Sequence, residues 1–279
     1  MIDIILETII DSFKIIPFLF ISFLIIELIE HKLSKKSIKL IKKSEKLGPL
    51  LGGILGCFPQ CGFSVLATNL YITRIISLGT LISIYLSTSD EMLPILIARK
   101  SNISTIISLL AIKLLIGVTS GIIIDLLLRK KEKIQVTELC QEDECHCEKG
   151  IIKSSIIHTT KTTLYLMIIT FILNITMYIG GEELLSNLFN KSSIFTPFLT
   201  SLIGLIPNCA SSVVITELYL NNILSLSSTI AGLLTGSGVA ILILFKSNKN
   251  LKENIKILLT VYLIGSLSGI LIEIINFIL

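Results

Sequence analysis

Eight apolar segments separated by short polar stretches make up most of the chain. They run at about 12–30, 47–72, 75–98 and 102–128, then at about 162–180, 194–220, 223–245 and 254–278. A helix needs about 20 residues to cross a 30 Å hydrocarbon core, so the pattern predicts an all-α integral membrane protein. Within each group of four, the first and last segments are unbroken and the middle two are interrupted. Segment 47–72 is broken by Phe58-Pro59-Gln60-Cys61-Gly62. The arms left on either side are roughly eleven residues, or about 16 Å at helical rise, which crosses only half a bilayer. Segment 75–98 carries Ser87-Thr88-Ser89-Asp90-Glu91 and then Pro94, and segment 223–245 carries Thr235-Gly236-Ser237-Gly238.

The two groups are one unit written twice. A shift of 148 positions lays Gly56 on Gly204, Pro59 on Pro207, Cys61 on Cys209, Ser64 on Ser212 and Thr68 on Thr216. Without a gap it continues through Leu70-Tyr71 on Leu218-Tyr219 to Gly117, Ser120 and Gly121 on Gly265, Ser268 and Gly269. Chance pairing of Ile and Leu inflates such matches, but shared Pro-x-Cys and Leu-Tyr do not arise that way. The divisions that follow are a first transmembrane repeat at 1–128, a linker at 129–161 and a second repeat at 162–279.

Charge placement selects a topology. Lysine and arginine cluster at Lys32 to Lys46, Arg129 to Lys133 and Lys246 to Lys256. If every segment spans, the central cluster faces outward and the first faces inward. If the Pro-Cys segments are re-entrant hairpins, all three clusters are cytoplasmic, as basic loops should be. The hairpin reading gives each half an odd number of crossings: three spanning helices, one of them discontinuous, plus the hairpin. The fold expected is therefore an inverted repeat, with irregular backbone near the midplane, where transporters build their sites.

Composition agrees with a multi-pass protein. Hydrophobic residues are 52% of the chain and mean hydropathy is +0.86, above what a soluble domain of this size can bury. The net charge of +4 is modest and forms no basic stripe interleaved with aromatics, so no nucleic-acid partner is expected. The first apolar stretch lacks a basic leader and a small-residue cleavage site, so it reads as a retained span. There is no P-loop for ATP, no Gly-x-Ser-x-Gly elbow and no His-Glu-x-x-His helix, so the chain is not expected to be an enzyme.

The candidate chemistry lies at the interruptions. Cys61 and Cys209 each follow a helix-breaking proline and an amide, Gln60 or Asn208; a thiolate there suits a soft metal or trivalent arsenic. Small cysteines also let backbones pack closely, and Cys57, which has no counterpart, reads as packing. Ser64, Asn69 and Ser212 could supply neutral oxygens, although hydroxyls on helices often bond back to carbonyls. Asp90, Glu91 and Glu217 are carboxylates inside apolar segments. A charge near the bilayer centre costs about 2.5–3.5 kcal/mol on insertion scales, so they are candidates for cation or proton coupling. Burial against Lys113 or Arg74 is the structural alternative. Asp125 and Glu273 match across the repeat and read as solvated helix ends. In the linker, Cys140, Cys145, His146 and Cys147 have soft-ligand types at a spacing that is not a standard zinc pattern. They are a candidate metal site beside the plain reading of an acidic tether.

Pro59-Gln60-Cys61-Gly62-Phe63-Ser64, Ser87-Thr88-Ser89-Asp90-Glu91, Ile206-Pro207-Asn208-Cys209-Ala210-Ser211-Ser212 and Ala231-Gly232-Leu233-Leu234-Thr235-Gly236 resemble the ten-helix heavy-metal exporters. Members of that family are labelled manganese transporters or arsenic efflux proteins and look distantly related to organoarsenical permeases. The resemblance covers nearly the whole chain and implies a transporter; ten helices match the hairpin count. The expected function is proton-coupled, secondary-active export of a manganese, arsenical or soft divalent ion. It would occur across a bacterial cytoplasmic membrane, with the linker on the cytoplasmic side. No tightly bound cofactor is expected beyond the transported ion or one held by the linker. The expected partners are the lipid bilayer, a small ion and a second copy in a homo-oligomer. A carrier of a small organic or anionic substrate is the alternative within transport. A membrane thiol–disulfide oxidoreductase is the alternative outside it, and it leaves the duplication unexplained.

Overall fold

The computed structural model describes residues 47–58, 61–89, 91–128, 152–153, 155–168 and 195–278, with single positions in 10–24 and 171–175. Gln60, Asp90, and Cys140, Cys145, His146 and Cys147 of the linker lie outside the described residues, as do the side chains of Cys61 and Cys209. Regular structure among the described residues is helical. In the first half it comprises α1 (Gly48–Gly56), α2 (Cys61–Ile72), α3 (Leu78–Ser87), α4 (Met92–Ala98) and α5 (Ile103–Leu128). In the second half it comprises α6 (Thr196–Gly204), α7 (Cys209–Leu220), α8 (Leu226–Thr235), α9 (Ala240–Ser247) and α10 (Leu251–Ile278). Each helix of the second half begins 148 positions after its counterpart, the shift that aligns the sequences. Helical structure at 155–168 extends into the stretch that the sequence pattern assigns to the linker.

Local chemistry accounts for the boundaries. α1 and α6 each open with proline in the first turn, where its missing N–H has no partner to lose. Both stop before the next proline, because a residue preceding proline is pushed out of the helical region. Ser77 and Ser225 cap α3 and α8, accepting from the backbone N–H of Thr80 and Ser228. The turns before these caps are matched too: Arg74 and Asn222 hold φ of 59° and 58°, the left-handed residue that closes α2 and α7. Pro94 does not belong to the break, as the sequence suggests. It is the third residue of α4, where an N–H would have no helical acceptor.

The broken helices lie inside and the continuous ones outside. Of the four stretches among the described residues long and apolar enough to cross a membrane, Leu78–Ala98 and Leu226–Ser247 are 65% and 89% buried, while α5 and α10 are 22% and 28% buried. That division follows from the bilayer, which tolerates irregular backbone only where protein covers it. Close packing relies on glycine. A Cβ on Gly79 of α3 would clash with the Gly121 carbonyl of α5, and a Cβ on Gly204 of α6 with the Gly232 carbonyl of α8. Small residues let backbones approach where lipid supplies no hydrophobic drive.

Contacts between the halves are reciprocal. α4 packs on α7 as α9 packs on α2, α3 meets α10 as α8 meets α5, and α3 meets α8. The end of α2 (Tyr71, Arg74) meets Glu253 in the first turn of α10, beside Leu127 and Leu128 at the end of α5. Arg99, just before the start of α5, pairs with Glu217 near the end of α7. The matched helices α2 and α7 thus finish at opposite ends of α5, which at 26 residues is about 39 Å long.

Candidate functional site

The backbone breaks between α3 and α4 and between α8 and α9 are the only interruptions of the long interior helices among the described residues, and one side chain joins them. Lys113 projects from the middle of α5 with 1% of its surface exposed. Its ammonium donates to the carbonyl of Thr88, the C-cap of α3, and to the carbonyl of Leu233 in the last turn of α8, the latter at 2.7 Å. The last four carbonyls of a helix lack intrahelical partners and carry the negative end of the macrodipole. Two such ends, one from each half, therefore meet on a single cation. Two hydrogen bonds to a charged group contribute about 1.5–3 kcal/mol each, enough to offset a buried lysine's insertion cost of about 2.5–3.5 kcal/mol.

The surroundings of the breaks are rich in hydroxyls, most of them committed. Ser87 bonds back to Ser83, Thr88 to Ile84, and Ser89 reaches the Cys57 carbonyl at 2.7 Å, tying the first break to the end of the α1 segment. In the second half Thr235 bonds to the Ser201 carbonyl of α6 at 2.8 Å. Ser237, the counterpart of Ser89, is fully buried, and its Oγ has no hydrogen-bond partner among the described residues.

The positions expected from sequence fall as follows. Cys61 and Cys209 are the first residues of α2 and α7. Asn208 is the buried N-cap of α7; its Oδ1 accepts from the Ala210 N–H at 3.2 Å. Ser64, Asn69 and Ser212 are buried on α2 and α7, and the carbonyls of Ser64 and Ser212 accept from Thr68 and Thr216. The Thr68 hydroxyl also meets the buried Tyr85 hydroxyl at 2.6 Å, a link between α2 and α3 with no sequence signature. Glu91 is the partly buried N-cap residue of α4, directly after the first break. Glu217 does not stand alone. It makes a bidentate pair with Arg99 at 3.0 Å, and the arginine side chain is 64% exposed. Among the described residues, no group of three His, Cys, Asp or Glu could hold a metal ion.

Three polar contacts escape sequence reasoning. Asp125 and Glu273 are not solvated ends. Asp125 accepts from the Gly79 N–H at 2.8 Å and from Ser77 at 2.7 Å, and Glu273 accepts from Ser227. Each carboxylate thus sits at the positive N-terminus of the broken helix of its half. Among the described residues, Arg74 does not pair with Glu217. Its guanidinium forks onto Glu253 at 2.8 and 3.0 Å, and Tyr71 donates to the same carboxylate. The hydrogen bond to Glu253 raises the already high pKa of Arg74. Arg74, Lys252 and Lys256 line a cavity of about 520 Å³ at that end of the molecule.

Apolar interior helices broken at one register, with a buried cation between their ends, are features of membrane transport proteins. No curated protein matches the chain, and no solved structure does. A family profile described as "Putative, 10TM heavy-metal exporter" matches residues 1–178 and, overlapping them, 128–263. The two matches together reach from residue 1 to residue 263 of 279, so the chain is a multi-pass membrane protein that belongs to this family of ten-helix heavy-metal exporters.

Proposed function

We propose that the protein is a secondary-active exporter of a heavy-metal or metalloid ion, coupled to protons, in which two inverted halves share one central site. The observation that carries this reading is the pair of matched breaks in the interior helices, covered by protein and joined through Lys113. The opposite ends reached by α2 and α7 support inversion, since matched helices of an inverted pair run in opposite directions through the membrane. The short arms support re-entrant hairpins: α1 and α2, with 9 and 12 residues, are about 14 and 18 Å long.

On this reading the hairpins α1–α2 and α6–α7 enter from opposite faces, with Gln60-Cys61 and Asn208-Cys209 at their tips. The thiols of Cys61 and Cys209 take a soft ion, and Asn208, Ser64, Ser212 and Asn69 surround it with neutral oxygens. Asp90 and Glu91, at the first break, exchange the cation for protons. Glu217 is engaged by Arg99, so the coupling role rests on the other two carboxylates. Access alternates as the broken helices move against the outer shell of α5 and α10. The end carrying Arg74, Lys252, Lys256 and the sequence Arg129-Lys130-Lys131 is cytoplasmic, as the positive-inside rule requires.

The test is metal flux in proteoliposomes with and without a proton gradient, across manganese, zinc, cadmium and arsenite. Proton-dependent movement of at least one of these, lost in the Cys61→Ser/Cys209→Ser double variant, is the expected result. Metal movement that survives the double variant would remove the thiols from the site. Failure to move any of the four would overturn the exporter reading and favour an organic or anionic substrate.

A further inference from the structure

The sequence shift that matches the halves puts Val261 opposite Lys113, and both are buried to 1% exposure. A fixed positive charge inside a cation exporter calls for an explanation, and its partners supply one. The ammonium is buried with the rest of the side chain. It sits where the C-terminal carbonyls of α3 and α8 converge, an arrangement in which half-helix ends hold a coupling cation such as sodium in transport proteins. A buried hydroxyl, Ser237 Oγ, has no partner among the described residues and lies two residues beyond the end of α8, in the second break. Carbonyls from both halves converging on one buried charge are the donor set that a cation site needs.

We infer that Lys113 is a tethered cation. Its ammonium occupies the site formed by the Thr88 and Leu233 carbonyls when no ion is bound, and it competes with a free cation for those oxygens. This deepens the exporter reading and rests on it only for the transport consequence. With the ammonium seated, the empty carrier keeps both helix ends neutralised and can change access unloaded. That property separates net export from mere exchange. When a cation takes the carbonyls, the long lysine stem swings the ammonium aside, so the bound state does not carry both charges on the same oxygens. Val261 offers nothing equivalent, so the competition comes from the first half alone.

The test uses purified full-length protein and three variants: Lys113→Met, Lys113→Arg and Val261→Met, the last a control for volume at the matched position. Thermal unfolding is followed against sodium, potassium, manganese and cadmium added singly. Lys113→Met, which keeps the stem and removes the charge, should melt lower than wild type. One of the four cations should then raise its midpoint by about 5 °C at saturation, while wild type, Lys113→Arg and Val261→Met shift little. In proteoliposomes, Lys113→Met should keep exchange of labelled cation at equal concentrations on both sides, with net efflux down at least about tenfold and a lower KM.

Absence of any cation-dependent stabilisation specific to Lys113→Met overturns the inference whether or not the wild type transports metal. Equal loss of exchange and net efflux at unchanged KM overturns it as well, and leaves Lys113 a packing or anion-binding residue. If the cation stabilises Lys113→Met yet wild type moves no metal, the tethered cation stands and the exporter reading falls.

Discussion

The two breaks in the interior helices share a scaffold and differ in chemistry. Around both, a serine caps the helix, a carboxylate from the outer helix sits at its N-terminus, and small residues seat it against that outer helix. Elsewhere around the breaks the likeness stops. In the alignment Lys113 corresponds to Val261, Tyr85 to Leu233 and Asp90 to Gly238, and Ser89, whose hydroxyl is tied to Cys57, corresponds to Ser237, whose Oγ has no partner among the described residues. Features that hold backbone to backbone are duplicated because both halves need the same geometry. On the proposed reading the thiols and hydroxyls at the hairpin tips are duplicated as well, and the asymmetry is confined to Lys113 and the carboxylates of the first break, because a single coupling step needs one set of charged groups. Symmetric packing around an asymmetric centre is what a duplicated carrier should display.

The largest effects test the shared scaffold. Gly79→Leu and Gly204→Leu each drive a side chain into a backbone carbonyl of a neighbouring helix, which cannot withdraw without moving that helix. Each should cost about 3 kcal/mol or more and abolish folded protein, read as loss of a monodisperse peak after detergent extraction. Tolerance of one and not the other would break the equivalence of the halves. Next come the carboxylates at the helix starts. Asp125→Asn and Glu273→Gln should each lower stability by about 1 kcal/mol, through loss of a charge-assisted cap, with transport otherwise retained. A large loss of flux at normal stability would make them coupling groups instead. The smallest effect is the sharpest. Ser89→Ala should cost about 1 kcal/mol because it strands the Cys57 carbonyl, whereas Ser237→Ala should be neutral within about 0.5 kcal/mol because no bond is lost. Equal costs in thermal unfolding would contradict the asymmetry.

The scaffold was legible in the sequence for a physical reason. Helix breaks are written by Pro59, Pro207 and Gly236, and a span of a given length needs a countable number of apolar residues. The repeat shift that aligns Pro-x-Cys also aligns the starts of the five described helix pairs. Pro94 was misleading because proline stops a helix in its interior but not in its first turn. The centre was largely illegible. Lys113 bonds to two main-chain carbonyls, and a carbonyl has no residue identity to find. Asp125 has the same kind of partner, the N–H of Gly79, which is why it looked like a free terminus. Arg74 and Glu253 lie far apart in sequence, and only the folded arrangement of α2 against α10 brings them together. Glu217 could be seen as a charge in an apolar run, but its partner Arg99 lies in the other half.

The claim on which the account turns is that the halves are inverted, so that matched helices open the one site to opposite sides. Two single cysteines in an otherwise cysteine-free chain test it: Asn222→Cys, exposed at the end of α7, and Lys252→Cys, exposed at the start of α10 beside the end of α2. Sealed vesicles of known orientation are treated with a membrane-impermeant maleimide from one side and then from the other. The account predicts that the two cysteines label from opposite sides, with Lys252→Cys on the cytoplasmic face. Labelling of both from the same side would contradict it.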